Sequence, residues 1–366
     1  MRSVLAIVVL GVVALSACSS VPTDTAQATN RPTPSPPSSL SQAPRPSPSN
    51  ANASGAVEIA VTASFPDCTL PYVKPAGLGS VSAPFTGGFV SGPQGLWTAD
   101  PAGRVNQVGS LLETSAQPTL SGSGSSSFDS VSYDAAVKRW LPVARAQVRG
   151  DGLAYVYAKP NNYPASSARY NEKRIHLVTP ADGTDRVIYS GQSLFVLAWE
   201  PEGIYLAAVG HSDGPAQAMW RLDPATGSIT QLPSSAGFRA IRQGVAWTDN
   251  WVIVPRRLDR IDVATGQTQT WVTANERGWI WFVGLDANGD PLVDLGPAAD
   301  GSWRLFVYTA PGQGTLIASV TVHQEPISDR YGTWLAGENA IYLLKPGPRL
   351  EKVSDVTGGT IAGPCI

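Results

Sequence analysis

The sequence predicts an all-β chain that closes into a six-bladed β-propeller behind a signal peptide and a disordered linker. Two observations lead there. A hairpin of constant form, apolar run, polar tight turn, apolar run, recurs at a mean spacing of roughly 44 residues, the size of a four-stranded blade. The composition suits many short strands joined by tight turns, with 36 Gly, 31 Pro, 11 Trp and 11 Tyr among 366 residues and only 15% charged.

Residues 1–18 carry Arg2, an apolar stretch over 4–15, and then Ser16, Ala17 and Cys18. This is the layout of a signal peptide and is too short to span a membrane as a helix. Leu15-Ser16-Ala17-Cys18 resembles the bacterial lipobox, which implies cleavage before Cys18 and acylation of its thiol. Several acyl chains on one residue, at about 0.8 kcal/mol per buried CH₂, make a durable anchor. The expected location is the bacterial cell envelope, lipid-anchored and facing outside the cytoplasm, with the membrane itself as a partner through the N-terminal lipid.

Residues 19–55 are Pro, Ser, Thr, Ala, Asn and Gln with hardly a large apolar side chain. Such a segment buries too little to offset its conformational entropy and is predicted to be a disordered spacer. The propeller is assigned to 56–366. Two cysteines remain there, Cys68 and Cys365, near its two ends, and the oxidising compartment predicts a disulfide between them. The strand expected over 56–63 is read as an edge addition beside the ring closure, with a degenerate seventh blade as the alternative.

The clearest hairpin copies share Asp-x-Ala-Thr-Gly at the turn, Asp223 to Gly227 and Asp262 to Gly266. Looser copies are expected to turn near Asp134, Ala181, Pro311 and Asp355. A second hairpin is expected before each, turning at Gly92–Gly95, Gly150–Gly152, Pro201–Gly203, Asp249–Asn250, Ala287–Gly289 and Glu338–Asn339, where Gly and Asn tolerate the positive φ of primed turns. Gly203-Ile204-Tyr205-Leu206-Ala207-Ala208-Val209 and Trp251-Val252-Ile253-Val254 are predicted inner strands.

Ala146-Gln147-Val148-Arg149-Gly150-Asp151-Gly152-Leu153-Ala154-Tyr155-Val156, followed by Arg174-Ile175-His176-Leu177-Val178, resembles the TolB-type, WD40-like propeller repeat, as does Ala198-Trp199-Glu200-Pro201-Glu202-Gly203-Ile204-Tyr205-Leu206. The resemblance covers blades two to four. It implies a six-bladed propeller outside the cytoplasm, serving as a scaffold for protein contacts or as an accessory to an enzyme. Arg149 and Glu200 stand where that repeat usually has Ser, Gly150 replaces the Pro of one turn, and no TolB-type amino-terminal domain is present. Repeats of this kind identify a fold far better than a function.

Both kinds of hairpin turn are expected on one rim and the inserted length on the other, over 101–128, 160–173, 210–217, 233–240, 273–278 and 320–331. A ligand face is therefore expected on the insert side. Its candidate contacts are Tyr163, Arg169, Tyr170, His211, Asp213, Arg239, Arg242, Arg277, His323, Glu325, Arg330 and Tyr331, of the types that anchor protein or glycan ligands. The expected partner is an unknown protein or envelope polymer.

Other constellations carry less. Gly210-His211-Ser212-Asp213-Gly214 has the spacing of a nucleophile elbow, but Pro215 and a strand-like run follow where a helix is required. Asp286, Asn288 and Asp290 have the first calcium-loop positions, yet Pro291 and Pro297 occupy the sixth and twelfth, and a hairpin turn explains them better. His176, His211 and His323 lack zinc spacing, so neither a metal nor a cofactor is expected. Trp247, Trp251, Trp279 and Trp281 are read as packing between blades, with sugar stacking as the alternative. A net charge of -2 without a basic stripe argues against nucleic acid. The readings in competition are a non-catalytic binding scaffold, an extracytoplasmic propeller enzyme of lactonase, glycosidase or lyase type, and a small-solute or glycan capture protein.

Overall fold

A computed structural model describes residues 60–75, 85–105, 131–160, 172–208, 218–233, 238–249, 256–274, 278–297, 301–322 and 324–366. The expected signal peptide, the expected linker and the start of the expected edge strand lie outside the described residues, as do Trp251 to Val254 and Ser212. In chain order β1 (Val61–Thr62) precedes β2 (Leu70–Pro75), β3 (Phe85–Ser91) and β4 (Leu96–Val105). A hairpin of β5 (Ser132–Asp134) and β6 (Arg139–Leu141) follows, then a 3₁₀ turn over Arg145–Gln147. Next come β7 (Tyr155–Pro160), β8 (Lys173–Thr179), β9 (Thr184–Gly191), β10 (Leu194–Glu200), β11 (Gly203–Ala208), β12 (Met219–Leu222) and β13 (Ile229–Leu232). The chain continues through β14 (Phe238–Arg242), β15 (Val245–Thr248), β16 (Arg257–Asp262), β17 (Thr268–Thr273), β18 (Trp279–Leu285), β19 (Pro291–Gly296), β20 (Arg304–Ala310) and β21 (Gln313–Ala318). It ends with β22 (Ile327–Asp329), β23 (Gly332–Ala336), β24 (Ile341–Lys345), β25 (Arg349–Ser354) and β26 (Thr360–Ile361).

These strands build a six-bladed propeller. Blades three, four and five are the meanders β10 to β13, β14 to β17 and β18 to β21. Blade two pairs β7 to β9, and its inner edge is irregular, touching β7 through a Val148–Tyr155 bridge. Blade six is β22 to β25 with β1 added in parallel against Glu351 and Lys352, so the early strand is an edge addition and not a seventh blade. Blade one has the order β26-β2-β3-β4: the last strand of the chain is its innermost and pairs with one of the first.

Burial explains why the meanders stack. All but the last residue of β11 is buried because apolar faces cover it on both sides, whereas outer strands such as β9 are mostly exposed. One apolar cluster joins blades two and three through Val156, Leu206 and Trp220, and another joins blades three and four through Tyr205, Phe238 and Ile261. Val293 with Trp247 links four to five, Leu305 with Leu335 links five to six, and Trp334 with Tyr72 links six to one. Between blades one and two, Tyr133 and Trp140 of the β5–β6 hairpin pack against Val73 and Phe85.

Turn chemistry follows the sequence where the motif is strong. In the Asp-x-Ala-Thr-Gly copies, Asp223 Oδ1 accepts the Ala225 N–H at 2.8 Å and Asp262 Oδ1 accepts the Thr265 N–H at 2.8 Å. Those amide donors hold both exposed carboxyls below their ordinary pKa. The turns at Gly150–Gly152, Pro201–Gly203, Ala287–Gly289, Ala181 and Pro311 also stand where the sequence places them.

Four assignments are corrected. The first hairpin of blade four turns at Gln243–Gly244, whose φ values of 51° and 73° are those of a primed turn, and not at Asp249–Asn250. Asp249 is instead buried beyond the end of β15, and its carboxylate, not its backbone, is what the fold uses. In blade six the hairpins turn at Arg330–Tyr331 and around Gly347, while Glu338–Asn339 joins β23 to β24 and Asp355 lies after β25. The Gly92–Gly95 turn and the Asp134 turn do not share a blade, because β5 and β6 pair only with each other, as a separate two-stranded sheet.

Further bonds reinforce the β26–β2 pairing at the ends of the ring. Cys68 and Cys365 form the expected disulfide. Beside it, Asp329 Oδ2 accepts the Cys365 N–H at 2.8 Å and the Trp334 Nε1–H at 2.7 Å, tying the turn rim of blade six to the closing strand.

Candidate functional site

The inner strands surround a channel of about 450 Å³ that every blade lines. Each inner strand runs from the insert side to the turn rim, so its first residues face one mouth and its last residues the other. This order separates the charged groups of the channel into two sets.

At the turn rim the set is knitted together by bonds that pass from one unit to the next. Arg145, ahead of blade two, holds Asp134 of the β5–β6 hairpin at 2.9 Å. Glu200 ends β10 and accepts the Gln243 N–H of blade four at 3.1 Å. Arg242 ends β14 and donates through Nη1 to the Asp286 carbonyl of blade five at 2.9 Å. The Ala287 N–H donates in turn to Thr333 Oγ1 of blade six at 3.0 Å. Burial raises the Glu200 pKa, an effect opposed by the Gln243 N–H and the nearby Arg242.

At the insert mouth stand Arg239, the second residue of β14, and Glu325, which precedes β22; both are exposed. Arg239 Nε donates to Asp249 Oδ2 at 2.6 Å, and Asp249 is only 4% exposed. A buried carboxylate thus holds an exposed guanidinium in one orientation, which lowers the entropy lost when a ligand meets it.

The sequence-predicted contacts are divided by this geometry. Arg239, Arg242 and Glu325 line the channel. Arg330 and Tyr331 form a turn at the opposite rim from the inserts, with the Arg330 guanidinium 4.8 Å from the Tyr331 ring centroid and Tyr331 Oη donating to the Asp67 carbonyl at 3.0 Å. Their place is corrected because β22 already spans Ile327–Asp329, so the insert ends at Pro326. Tyr163, Arg169, Tyr170, His211, Asp213, Arg277 and His323 lie outside the described residues. Sequence reading missed Arg145, Glu200, Asp134 and Asp249; position was an available signal for Glu200 alone, which ends the first strand of its blade, whereas the other three lie off the first strands.

The lesser constellations are also placed. Asp286 Oδ1 accepts the N–H groups of Asn288 at 2.8 Å and Asp290 at 2.9 Å, so this run is a hydrogen-bonded turn. His176 lies on β8, stacked on Tyr157 with centroids 4.7 Å apart and paired with Asp185 at 2.8 Å. Among the described residues no three of His, Cys, Asp and Glu come together as metal ligands. The tryptophans do not behave as one cluster: Trp247 is 2% exposed, while Trp279 and Trp281 are 50% and 49% exposed. Trp251 lies outside the described residues.

No family model matches the chain, and no curated protein sequence matches it either. Among solved structures it is similar to TolB from Acinetobacter baumannii, at 12% identity and a TM-score of 0.45 over 82% of this chain and 68% of that one. It is also similar to an oligogalacturonate lyase in complex with manganese, at 11% identity and a TM-score of 0.45 over 81% of this chain and 85% of that one. A third likeness is to the periplasmic gluconolactonase of Pseudomonas aeruginosa, at 14% identity and a TM-score of 0.42 over 81% of this chain and 99% of that one.

Proposed function

We propose that the chain is a lipoprotein anchored by lipid on Cys18, whose linker over 19–55 presents the propeller outside the cytoplasm. The propeller then acts as a non-catalytic scaffold that binds a protein or an envelope polymer at the insert-side mouth of the channel. The observation that carries the binding assignment is Arg239, exposed at that mouth and fixed from beneath by buried Asp249. Preorganised charge on a rigid strand suits recognition, because little side-chain freedom remains to be lost on contact.

Anchor and mouth are tested separately. Expressed in bacteria, the chain is expected to partition with membranes and to carry acyl label. Cys18→Ser should move it to the soluble fraction, and membrane retention by that variant would remove the anchor from the proposal. In the second test, the partner is recovered by crosslinking on intact envelopes and its affinity is then measured. Arg239→Glu is expected to weaken capture by about tenfold or more, an effect that grows as salt is lowered. Equal capture by Arg239→Glu would take the binding site away from this mouth.

An enzymatic reading has one observation in its favour, that the carboxylates Glu200 and Glu325 both line the channel, although at its opposite mouths. It requires turnover of a lactone, glycoside or uronide that Glu200→Gln abolishes while capture of the partner persists.

A further inference from the structure

Blade five presents aromatic surface that the channel does not use. Trp279 and Trp281 lie two residues apart on β18 and therefore project from the same face of the sheet, about 7 Å apart along the strand. Their partners on β19 are Gly296 and Asp294. Register between β19 and β20 pairs Leu295 with Arg304, and one residue further it sets Gly296 opposite Trp303. Gly296 has no side chain, and the Trp303 ring occupies the space, since a Cβ there would come within 2.7 Å of Trp303 Cδ2. This side of the sheet therefore carries two rows, Trp279·Gly296·Trp303 and Trp281·Asp294·Leu305; blade six covers Asp294 and Leu305, which are 1% and 0% exposed, so only the end formed by the indoles is open.

Leaving half of two indoles in water is costly, and the surface it exposes is specific in kind. It amounts to about 250 Å², well below the roughly 800 Å² per side of a stable protein interface. No aliphatic neighbour widens it, because among the described residues the other exposed large apolar side chains are Val61, Leu96, Leu153, Val187 and Ile366, scattered elsewhere. Flat aromatic faces with no exposed aliphatic residue beside them match the apolar C–H face of a pyranose, whose hydroxyls remain free for water and polar neighbours.

We propose that Trp279, Trp281 and Trp303 form a stacking platform for a saccharide chain, with Trp279 and Trp281 each meeting a sugar ring and Trp303 closing the floor over Gly296. This site lies on blade five and goes beyond the binding mouth proposed above; neither depends on the other. The spacing of the two exposed indoles allows successive rings of a linear oligosaccharide to be held, so affinity should rise with chain length up to a few units.

The test titrates the full chain with chitohexaose, cellohexaose, maltohexaose and their monosaccharides, read by tryptophan fluorescence and calorimetry. At least one hexasaccharide is expected to bind saturably, more tightly than its monomer. Trp281→Ala and Trp279→Ala should each weaken it by about tenfold, while Trp281→Phe, which keeps a ring, retains most of the affinity. Unchanged unfolding midpoints and unchanged Arg239-dependent capture separate loss of this site from loss of the fold or of the channel mouth. Absence of a saturable response to every hexasaccharide overturns the platform, as does wild-type binding by the doubly substituted chain. A change of sedimentation state in the Trp→Ala variants would assign the face to self-association instead.

Discussion

Reduction of the Cys68–Cys365 bond is expected to lower the midpoint of thermal unfolding by about 6 °C, corresponding to about 3–5 kcal/mol. The bond spans 297 residues of sequence, nearly the whole ring. Cross-linking so long a loop removes much of the freedom of the unfolded chain, and in the loop-entropy account that is worth about 5 kcal/mol, with measured values often smaller. Asp329 and the strand pairing remain after reduction, so the reduced ring should stay closed at room temperature and open earlier on heating. Paired melts of oxidised and reduced protein, with the Cys68→Ser/Cys365→Ser chain as a control insensitive to reductant, provide the measurement. Coincident melts of the two redox forms would show that strand pairing and the Asp329 bonds fasten the ring without the disulfide.

A second large effect is expected from Asp294. This residue of β19 is 1% exposed, and its Oδ2 accepts the Val322 N–H at 3.3 Å, while Oδ1 has no hydrogen-bond partner among the described residues. Burial pushes its carboxyl up to about 7, and the Val322 N–H pulls weakly the other way. The native state thus keeps a proton that the unfolded chain gives up near pH 4. Between about pH 4 and pH 7 folded protein binds more protons than unfolded protein, so stability falls as pH rises and levels off above the folded pKa. Three pH units correspond to about 4 kcal/mol between the two plateaus. Asp294→Asn removes the charge and is expected to match wild type near pH 4.5 and to exceed it by about 2–4 kcal/mol at pH 8. Urea unfolding of both chains across that range tests this. Parallel profiles would mean that Asp294 is already ionised in the folded protein.

The regular part of this architecture was legible because it is local. Asp223 and Asp262 turn their hairpins through bonds within four residues, and a sequence window contains everything those turns need. Gln243–Gly244 and Asp249–Asn250 are equally turn-like in composition, and what separates them is the ion pair of buried Asp249 with exposed Arg239, ten residues apart. Pairing of β26 with β2 joins residues nearly 290 positions apart, and no local pattern announces which strand will be innermost. The same limit holds for the candidate sites. Alternation in Trp279-Ile280-Trp281 places both indoles on one face, but that they stay half in water while Trp247 is enclosed depends on how neighbouring blades pack. Arg330 and Tyr331 moved to the far rim because β22 begins three residues before them.

The order of strands in blade one sets a condition on biosynthesis. As the chain leaves the ribosome, β2 emerges among the first structured residues and must wait for β26, among the last, before its inner edge is covered. Until then it offers a row of unsatisfied amides and carbonyls to any neighbouring strand, the template from which intermolecular sheets grow. A nascent or prematurely terminated chain is therefore expected to be more prone to aggregate than the finished ring, along the edge at Leu70–Pro75.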